Sequence, residues 1–596
     1  MDLDISLKII GLSGLVQNTN FVIFGMGLAL AAIQLTSVAL TVDQSVEHYC
    51  KPAPNFVANE TAPLIIKDGR LVPDRCQMYE VLNGTLTENT TTCQHGWEYP
   101  DFEKYGETSF VTDVNLVCSR GYLAGLLMSI HFAGVLVGGL LTGQAGDTFG
   151  RRPVSMATLL LISVLGTAVS FTWSLELMMV LRFLLGVAIP GNTLVGYVLV
   201  VEMCTPKKRL LNHVLIQLFW SLGVMLVAPL AYLMPNWRRF QLVTSLMCLP
   251  VVLIMCFFTY ESLRWLVQKG RPDKAEAILQ RIAKSKNIQH DGPFLVDREN
   301  QDTPAVCTIK LLAKSEPERE KDHGDCSGSP VQGRRTHDEA VDDEREGHRI
   351  QPFSTGEDEI DQIAKTSGPA NVKKYTILDL FKTRVLIKHT SIIFVCWYVM
   401  NATYFGFTVY STSLSGNRYL NFFLLALVEA PVYGIDFFIV RRFGRKRPVI
   451  AFFFSGAMAC LLIAFLPMKT ASGLDLSALL VAMAMIGKFY ANAAFEVTLL
   501  ISAEVFPTVL RNTATGSSST IGRSSAIMAP FIVYLTEVRS FLPMVIFGCL
   551  SLVASGLVIL LPETKNKPLP ETYDDAFKLL ESREEDTKLQ TSYIPV

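Results

Sequence analysis

Charge is scarce in this chain: Asp, Glu, Lys and Arg make up 18% of its 596 residues, whereas 50% are hydrophobic. Mean hydropathy is +0.33. A water-soluble domain needs more polar surface than that, so a bilayer must solvate part of the chain. A basic excess is missing as well. The formal net charge of −1 argues against a nucleic-acid partner, whose phosphates demand Lys and Arg. The chain shows no Ser-His-Asp arrangement, no zinc-ligand spacing and no Gly-rich phosphate loop followed by Lys. An enzyme or an ATP-driven pump is thereby left without its chemistry, and neither metal nor cofactor is implied. His131 and His389 stand isolated, as packed or solvated histidines do.

Long apolar runs are abundant. A spanning helix needs about 20 mostly apolar residues. Such runs occur at about 20–42, 121–143, 153–174, 177–200, 210–233 and 239–259. After a long polar segment they return at about 389–411, 418–440, 449–468, 475–500, 514–536 and 540–561. The expected fold is an all-α membrane protein with twelve transmembrane helices in two six-helix bundles. The first run lacks a small-residue cleavage pattern and reads as a retained helix, not a signal peptide.

Basic residues mark the side that stays in the cytosol. Arg151, Arg152, Lys207, Lys208, Arg209, Arg441, Arg442, Arg445, Lys446 and Arg447 share one side if the helices alternate, which puts both termini in the cytosol. The loop 43–120 on the opposite side carries Asn-x-Thr acceptors at Asn59, Asn83 and Asn89. It also holds Cys50, Cys76, Cys93 and Cys118, an even set in a compartment where disulfides persist. Four cysteines allow three pairings, and all three stay open.

The expected organisation is a cytosolic N-terminus at 1–19, a bundle at 20–260, a linker at 261–388, a second bundle at 389–561 and a cytosolic tail at 562–596. The linker starts with helical spacing broken at Gly270-Arg271-Pro272. Its stretch 285–370 is charged and poor in aromatics, as disordered segments are.

An internal repeat ties the halves together. GQAGDTFGRRPV (143–154) follows the second run and RRFGRKRPV (441–449) the eighth. Glu202, Pro206 and Arg209 follow the fourth, and Glu504, Pro507 and Arg511 the tenth. Two matches at one six-helix offset indicate duplicated bundles with a substrate path at their interface. Asp147, Arg151, Arg152, Glu202, Arg209, Arg445, Glu504 and Arg511 are expected to form a cytosolic latch that breaks on inward opening. The simpler reading is topology anchors at the headgroups.

At this point the residues resemble the major facilitator superfamily, and more closely its organic cation, anion and zwitterion transporter family. The likeness rests on CQHGWEYPDFEKYGETSFVTDVNLVC (93–118), GDTFGRRP (146–153), ESLRWLVQKGR (261–271), EVFPTVLRN (504–512) and PETKNKPLPET (562–572). It covers nearly the whole chain except 285–370 and the far C-terminus. It implies alternating-access transport of small organic ions at the plasma membrane. Leu263 stands where the family usually has Pro, and Arg441 stands where the first half has Asp147.

Ionisable residues inside a span cost several kcal/mol unless they face a cavity or a partner. The second half carries Glu429, Lys488, Glu496 and Arg523 in its runs. Arg523 lies about 18 Å along its helix from Arg511, near the midplane. Its expected partner is Glu429, Glu496 or a substrate carboxylate. By resemblance, Arg in this part of helix eleven belongs to the anion and zwitterion branches, while cation-selective members tend to carry Asp. Glu496 departs from the family's small polar residue, and Arg523 with Lys488 opposite Glu496 would suit a zwitterion. The competing account is a closed salt bridge that never meets substrate. Trp397 and Tyr404 share a helix face and match the family's cavity pair, as Gln217, Trp220 and Phe495 match cavity positions. Aromatic faces attract quaternary ammonium groups by roughly 0.5–2 kcal/mol, although single aromatics usually serve packing. The expected activity is transport of zwitterionic or cationic amine-containing metabolites such as carnitine-like compounds. The alternatives are an organic-anion exchanger and, from another class, a non-transporting receptor or scaffold. Facilitated diffusion, exchange, and proton or sodium coupling all fit the sequence, so any co-transported ion is unknown.

Overall fold

A computed structural model describes residues 15–43, 45–52, 56, 61–67, 70–82, 85–100, 106–203, 209–285, 294–295, 377–467 and 475–565. The apolar runs form helices α1 (Gln17–Thr41), α2 (Tyr122–Phe149), α3 (Arg151–Ser170), α4 (Leu175–Glu202), α5 (Arg209–Leu233) and α6 (Trp237–Phe258). In the second half they form α7 (Arg384–Tyr410), α8 (Arg418–Phe443), α9 (Lys446–Phe465), α10 (Ser477–Val505), α11 (Thr508–Tyr534) and α12 (Leu542–Val558). Among the described residues, 10 helices, α1 through α10, are long and apolar enough to cross a membrane. Helix α11 has 27 residues but is rich in Ser, Thr and Gly, and α12 is apolar but only 17 residues long.

Local chemistry sets the helix starts. Ser174, Asn236, Thr383 and Asn417 each accept a backbone N–H from the first turn of the helix that follows, satisfying donors with no intrahelical partner. Pro190 has no N–H to donate, and the chain widens into a π-turn at Gly191–Gly196 without ending α4. Asn192 there donates to the Ser155 carbonyl at 3.1 Å. Within the first half, a Cβ on Gly138 of α2 would meet the Val187 carbonyl oxygen of α4 at 2.2 Å, so only Gly lets these backbones approach.

One apolar core fills α1–α6 and continues onto Phe407, Phe422 and Met544 of the second half. A second core surrounds Trp397, Phe452 and Phe506. The halves join where α2 packs on α11 and α5 packs on α8. Beyond α6, short helices at Leu263–Gln268 and Pro272–Ser285 share a small core, with Gly270 at φ +67° in the turn. The stretch 285–370 and the tail beyond 565, on which the linker and tail expectations fall, lie almost wholly outside the described residues.

The loop 43–120 folds into three two-stranded antiparallel pairs. Its disulfides are Cys50–Cys93 and Cys76–Cys118, one of the three pairings the sequence allows. Asn89 lies exposed on strand Thr85–Thr92, while Asn59 and Asn83 lie outside the described residues. At this loop end Arg418 of α8 pairs with Asp43 at 3.0 Å and with Glu107, a contact between the halves.

Candidate functional site

The ionisable residues of the second half sort into three groups. Lys488 is 2% exposed in its side chain, and its ammonium meets the Glu429 carboxylate, itself fully buried, at 3.3 Å. The same nitrogen donates to the Thr408 hydroxyl at 2.6 Å and the Tyr404 carbonyl at 3.0 Å, and sits 3.3 Å from the centre of the Tyr404 ring. The Tyr404 hydroxyl donates to Glu429 at 3.1 Å and accepts from Trp220 at 3.2 Å. Lys488 is thereby neutralised and solvated inside the protein, as a buried ammonium must be. The expectation that Lys488 stands opposite Glu496 is corrected: Glu429 from α8 takes it. The reason is rotation, because eight residues along a helix bring Glu496 about 80° round from Lys488.

Glu496 forms the second group. It accepts from His213 Nε2 at 3.1 Å and from Gln217 Nε2 at 3.2 Å, both on α5. The other ring nitrogen of His213 bonds the Tyr197 hydroxyl of α4 at 2.8 Å. This network joins the two halves. Arg523 of α11 is the third group. It lies half-buried with its guanidinium near Gly139 of α2, where a Cβ on that glycine would stand 3.3 Å from Nη1. Among the described residues neither Glu429 nor Glu496 pairs with Arg523.

Trp397 and Tyr404 are both buried. Trp397 donates to Ser502 at 2.9 Å and packs on Phe495 with ring centres 5.9 Å apart. Tyr404 with Trp220 forms an aromatic bridge between the halves; Trp397 with Phe495 stays within the second half.

The charges at the opposite end of the helices from the loop form two rings, one per half. Arg151 pairs with Asp147 at 2.9 Å and Glu202 at 3.3 Å. Arg152 donates to Thr259 at 3.1 Å and to the Cys256 carbonyl at 2.6 Å. Arg445 is held by both oxygens of Glu504, from 3.0 to 3.2 Å. Each of these pairs stays within one half, Glu202 reaching the loop of Arg151 and Glu504 the loop of Arg445. Arg511 is half-buried at the start of α11, and the Arg209 side chain lies outside what the structure describes.

Several members of these rings escape a sequence reading. Glu261 accepts the backbone N–H groups of Arg151 and Arg152, capping α3. Glu563 accepts those of Arg445 and Lys446, capping α9. Ser262 donates to Glu202, and Thr564 donates to Glu504. Burial pushes the Glu261 carboxyl above its usual range, opposed by the backbone N–H groups of Ser262, Arg152 and Arg151 and by the Arg151 charge. Three further residues were missed inside the helices. Fully buried Arg182 donates to Thr41 at 2.8 Å and Gln241 at 3.3 Å. His213 and Asp436 are the others; an ionisable residue inside an apolar run is the signal that could have found all three, and only the fold reveals their neighbours.

Comparison with known proteins gives the family. The family model described as Major Facilitator Superfamily matches residues 117–530. The Organic cation transporter protein of Drosophila melanogaster is 32% identical over 513 residues, covering 84% of this chain and 81% of its own. Human Solute carrier family 22 member 13 is 31% identical, covering 84% and 77%. Human Organic cation/carnitine transporter 2 is 27% identical, covering 89% and 86%. Among solved structures, the inward-open xylose transporter XylE from E. coli superposes with a TM-score of 0.55 at 14% identity, covering 94% of this chain and 98% of its own, a likeness of fold alone. The chain therefore belongs to the major facilitator superfamily and, within it, to the organic cation, anion and zwitterion transporter family, whose members carry solutes and are not enzymes.

Proposed function

We propose that this protein is a plasma-membrane carrier of zwitterionic or cationic amine-containing metabolites, carnitine-like compounds among them, working by alternating access. In this reading twelve helices span the membrane as bundles 20–260 and 389–561, with both termini in the cytosol and the intra-half charge rings forming the cytosolic gate. The observation that carries it is Arg523. A guanidinium inside a span is costly to leave without a counter-charge, and this one has no carboxylate partner among the described residues, whereas Lys488 has one. A substrate carboxylate completes it. The half-buried Trp220, hydrogen-bonded to Tyr404 across the halves, supplies a ring face for a substituted ammonium, and Glu496 supplies negative charge on the path between the halves. The printed names of the relatives, organic cation and carnitine transporters, agree with such a substrate.

The test is a competition uptake panel in cells, spanning quaternary cations, betaines and dicarboxylates, with and without sodium. Betaines are expected to compete best. Arg523→Gln is expected to cut uptake of carboxylate-bearing substrates by roughly ten- to a hundredfold, the worth of a charged hydrogen bond, and to spare simple cations. Unchanged carboxylate uptake in a correctly inserted variant would sink the assignment. Dicarboxylates competing best would favour the second reading, an organic-anion exchanger, which the half-buried cation Arg523 supports.

A further inference from the structure

Three side chains able to bind a metal meet in the loop 43–120, at a place the carrier reading does not use. Nε2 of His48 stands 3.6 Å from the sulfur of Cys118. The Cys76 sulfur, bonded to that of Cys118, completes a group whose three ligand atoms lie within 4.8 Å of one another. Among the described residues this is the one such group of three drawn from His, Cys, Asp and Glu. His48 is 9% exposed, and its other ring nitrogen, Nδ1, lies 2.9 Å from the Val46 carbonyl. A carbonyl can only accept, so Nδ1 carries the proton, and in the neutral ring Nε2 keeps its lone pair beside the sulfur. Metal-binding histidines are held in this way, the second nitrogen donating to a backbone carbonyl or a carboxylate. The spacing fits too. Zinc bonds of about 2.0 Å to nitrogen and about 2.3 Å to sulfur give a tetrahedron with an N···S edge of roughly 3.5 Å, against the 3.6 Å between His48 and Cys118.

We infer that His48, Cys76 and Cys118 form a zinc site, shut while the Cys76–Cys118 bridge is intact and opened when the bridge is reduced. Two electrons from a thiol or phosphine reductant enter the S–S bond, and two protons complete Cys76 and Cys118 as thiols. The thiol reductant leaves as its own disulfide; the phosphine leaves as its oxide, with oxygen from water. Zn2+ then displaces one proton from each thiol and binds both thiolates and Nε2 of His48, with a fourth position left for water. Two thiolates and an imidazole select zinc over calcium or magnesium, which take oxygen ligands. The thiolate charges balance that of the metal, and both cysteines are half-buried, within reach of a small ion. The position gives the site a consequence. Cys76 immediately precedes the strand Gln77–Leu82, and Cys118 opens the turn Cys118–Arg120 that leads into α2. Zinc therefore restores the tie between loop and α2 that reduction removes. The Cys50–Cys93 bridge is the internal control. Its sulfurs lie 3.9 Å from the Arg75 carbonyl oxygen, which the Cys118 sulfur approaches to 3.8 Å, yet it stands outside the group of three.

The site stands without any substrate, and its test does not depend on transport. Full-length protein in detergent micelles is reduced with a phosphine, freed of it, and titrated with Co2+, whose bonds to thiolates give a charge-transfer absorption; Zn2+ is then added to displace it. The wild type is expected to bind one ion per reduced chain and to show no such band while oxidised. His48→Gln keeps both bridges, so it folds with them before reduction. Its affinity is expected to fall at least tenfold, because even a group that only orients a metal ligand is worth roughly ten- to a hundredfold. Maleimide labelling and mass spectrometry of the zinc-loaded wild type then locate the covered thiols, with Cys76 and Cys118 protected and Cys50 and Cys93 labelled. A reduced chain with no band, a His48→Gln variant with the wild-type band and midpoint, or protection that falls on Cys50 and Cys93 overturns the site.

Discussion

The two charge rings hold the same hydrogen-bond skeleton with different numbers of carboxylates. In each half a glycine with positive φ, Gly150 at +113° and Gly444 at +91°, turns the chain into the next helix. In each, a glutamate from beyond the last helix caps that turn, and a hydroxyl neighbour of that glutamate donates to the glutamate holding the arginine. The arginines differ. Arg151 is shared between Asp147 and Glu202, whereas Arg445 rests on Glu504, because Arg441 occupies the position equivalent to Asp147. Duplication has preserved where donors and acceptors meet more strictly than which residues supply them. The second ring keeps less reserve: with one carboxylate gone, Arg151 retains a partner.

That difference can be broken experimentally. The largest effect is expected for Glu504→Gln, which takes from Arg445 the carboxylate that grips it; a loss of about 2–3 kcal/mol follows for a mostly buried pair, against about 1 kcal/mol for Glu202→Gln. Thermal melting of the purified variants measures both, and equal losses would end the idea of unequal reserve. Next come Gly150→Ala and Gly444→Ala. Each forces a side chain into a left-handed conformation and against a capping glutamate oxygen, 2.4 Å from the new Cβ at Gly150 and 2.8 Å at Gly444. Each is expected to cost about 1–2 kcal/mol, and a tolerant Gly444 with an intolerant Gly150 would show that the capping is not equivalent. Arg441→Asp in the Glu504→Gln background is expected to restore roughly 0.5 kcal/mol by placing a carboxylate four residues before Arg445; further destabilisation would mean Arg441 has a role of its own. Smallest is Asp147→Asn, whose side chain is 74% exposed. Its melting temperature should barely move, so any change in its uptake rate reports gating, and unchanged uptake with Glu504 also neutralised would defeat the latch.

Most of the architecture was legible because it depends on averages over many residues. Apolar runs and the six-helix offset both average over local error, and the helices appear where the runs predict them. The break at Gly270-Arg271-Pro272 was readable from local chemistry alone. Site geometry depends on helix rotation, which averages cannot supply. The sequence puts Lys488, Glu496 and Glu429 in the same bundle but not in pairs, and the pairing of Lys488 with Glu429 follows from how α8 turns toward α10. The equivalence of Glu261 and Glu563 was hidden because ESLRW and PETKN share little beyond the glutamate and a following hydroxyl residue. Asp436 and His213 carry the same cue that marks Glu429 and Lys488, an ionisable residue inside an apolar run; what the sequence hides is the neighbour each meets from another helix.

The two disulfides of the loop interleave along the chain, since Cys76 lies inside the span closed by Cys50–Cys93 and Cys93 inside that closed by Cys76–Cys118. Any single backbone cut between residues 50 and 118 therefore leaves at least one bridge across it, and a cut between 76 and 93 leaves two. A chain nicked there by a protease would keep both pieces covalently joined. The damage would surface only on reduction, as two fragments where a non-reducing gel shows one chain.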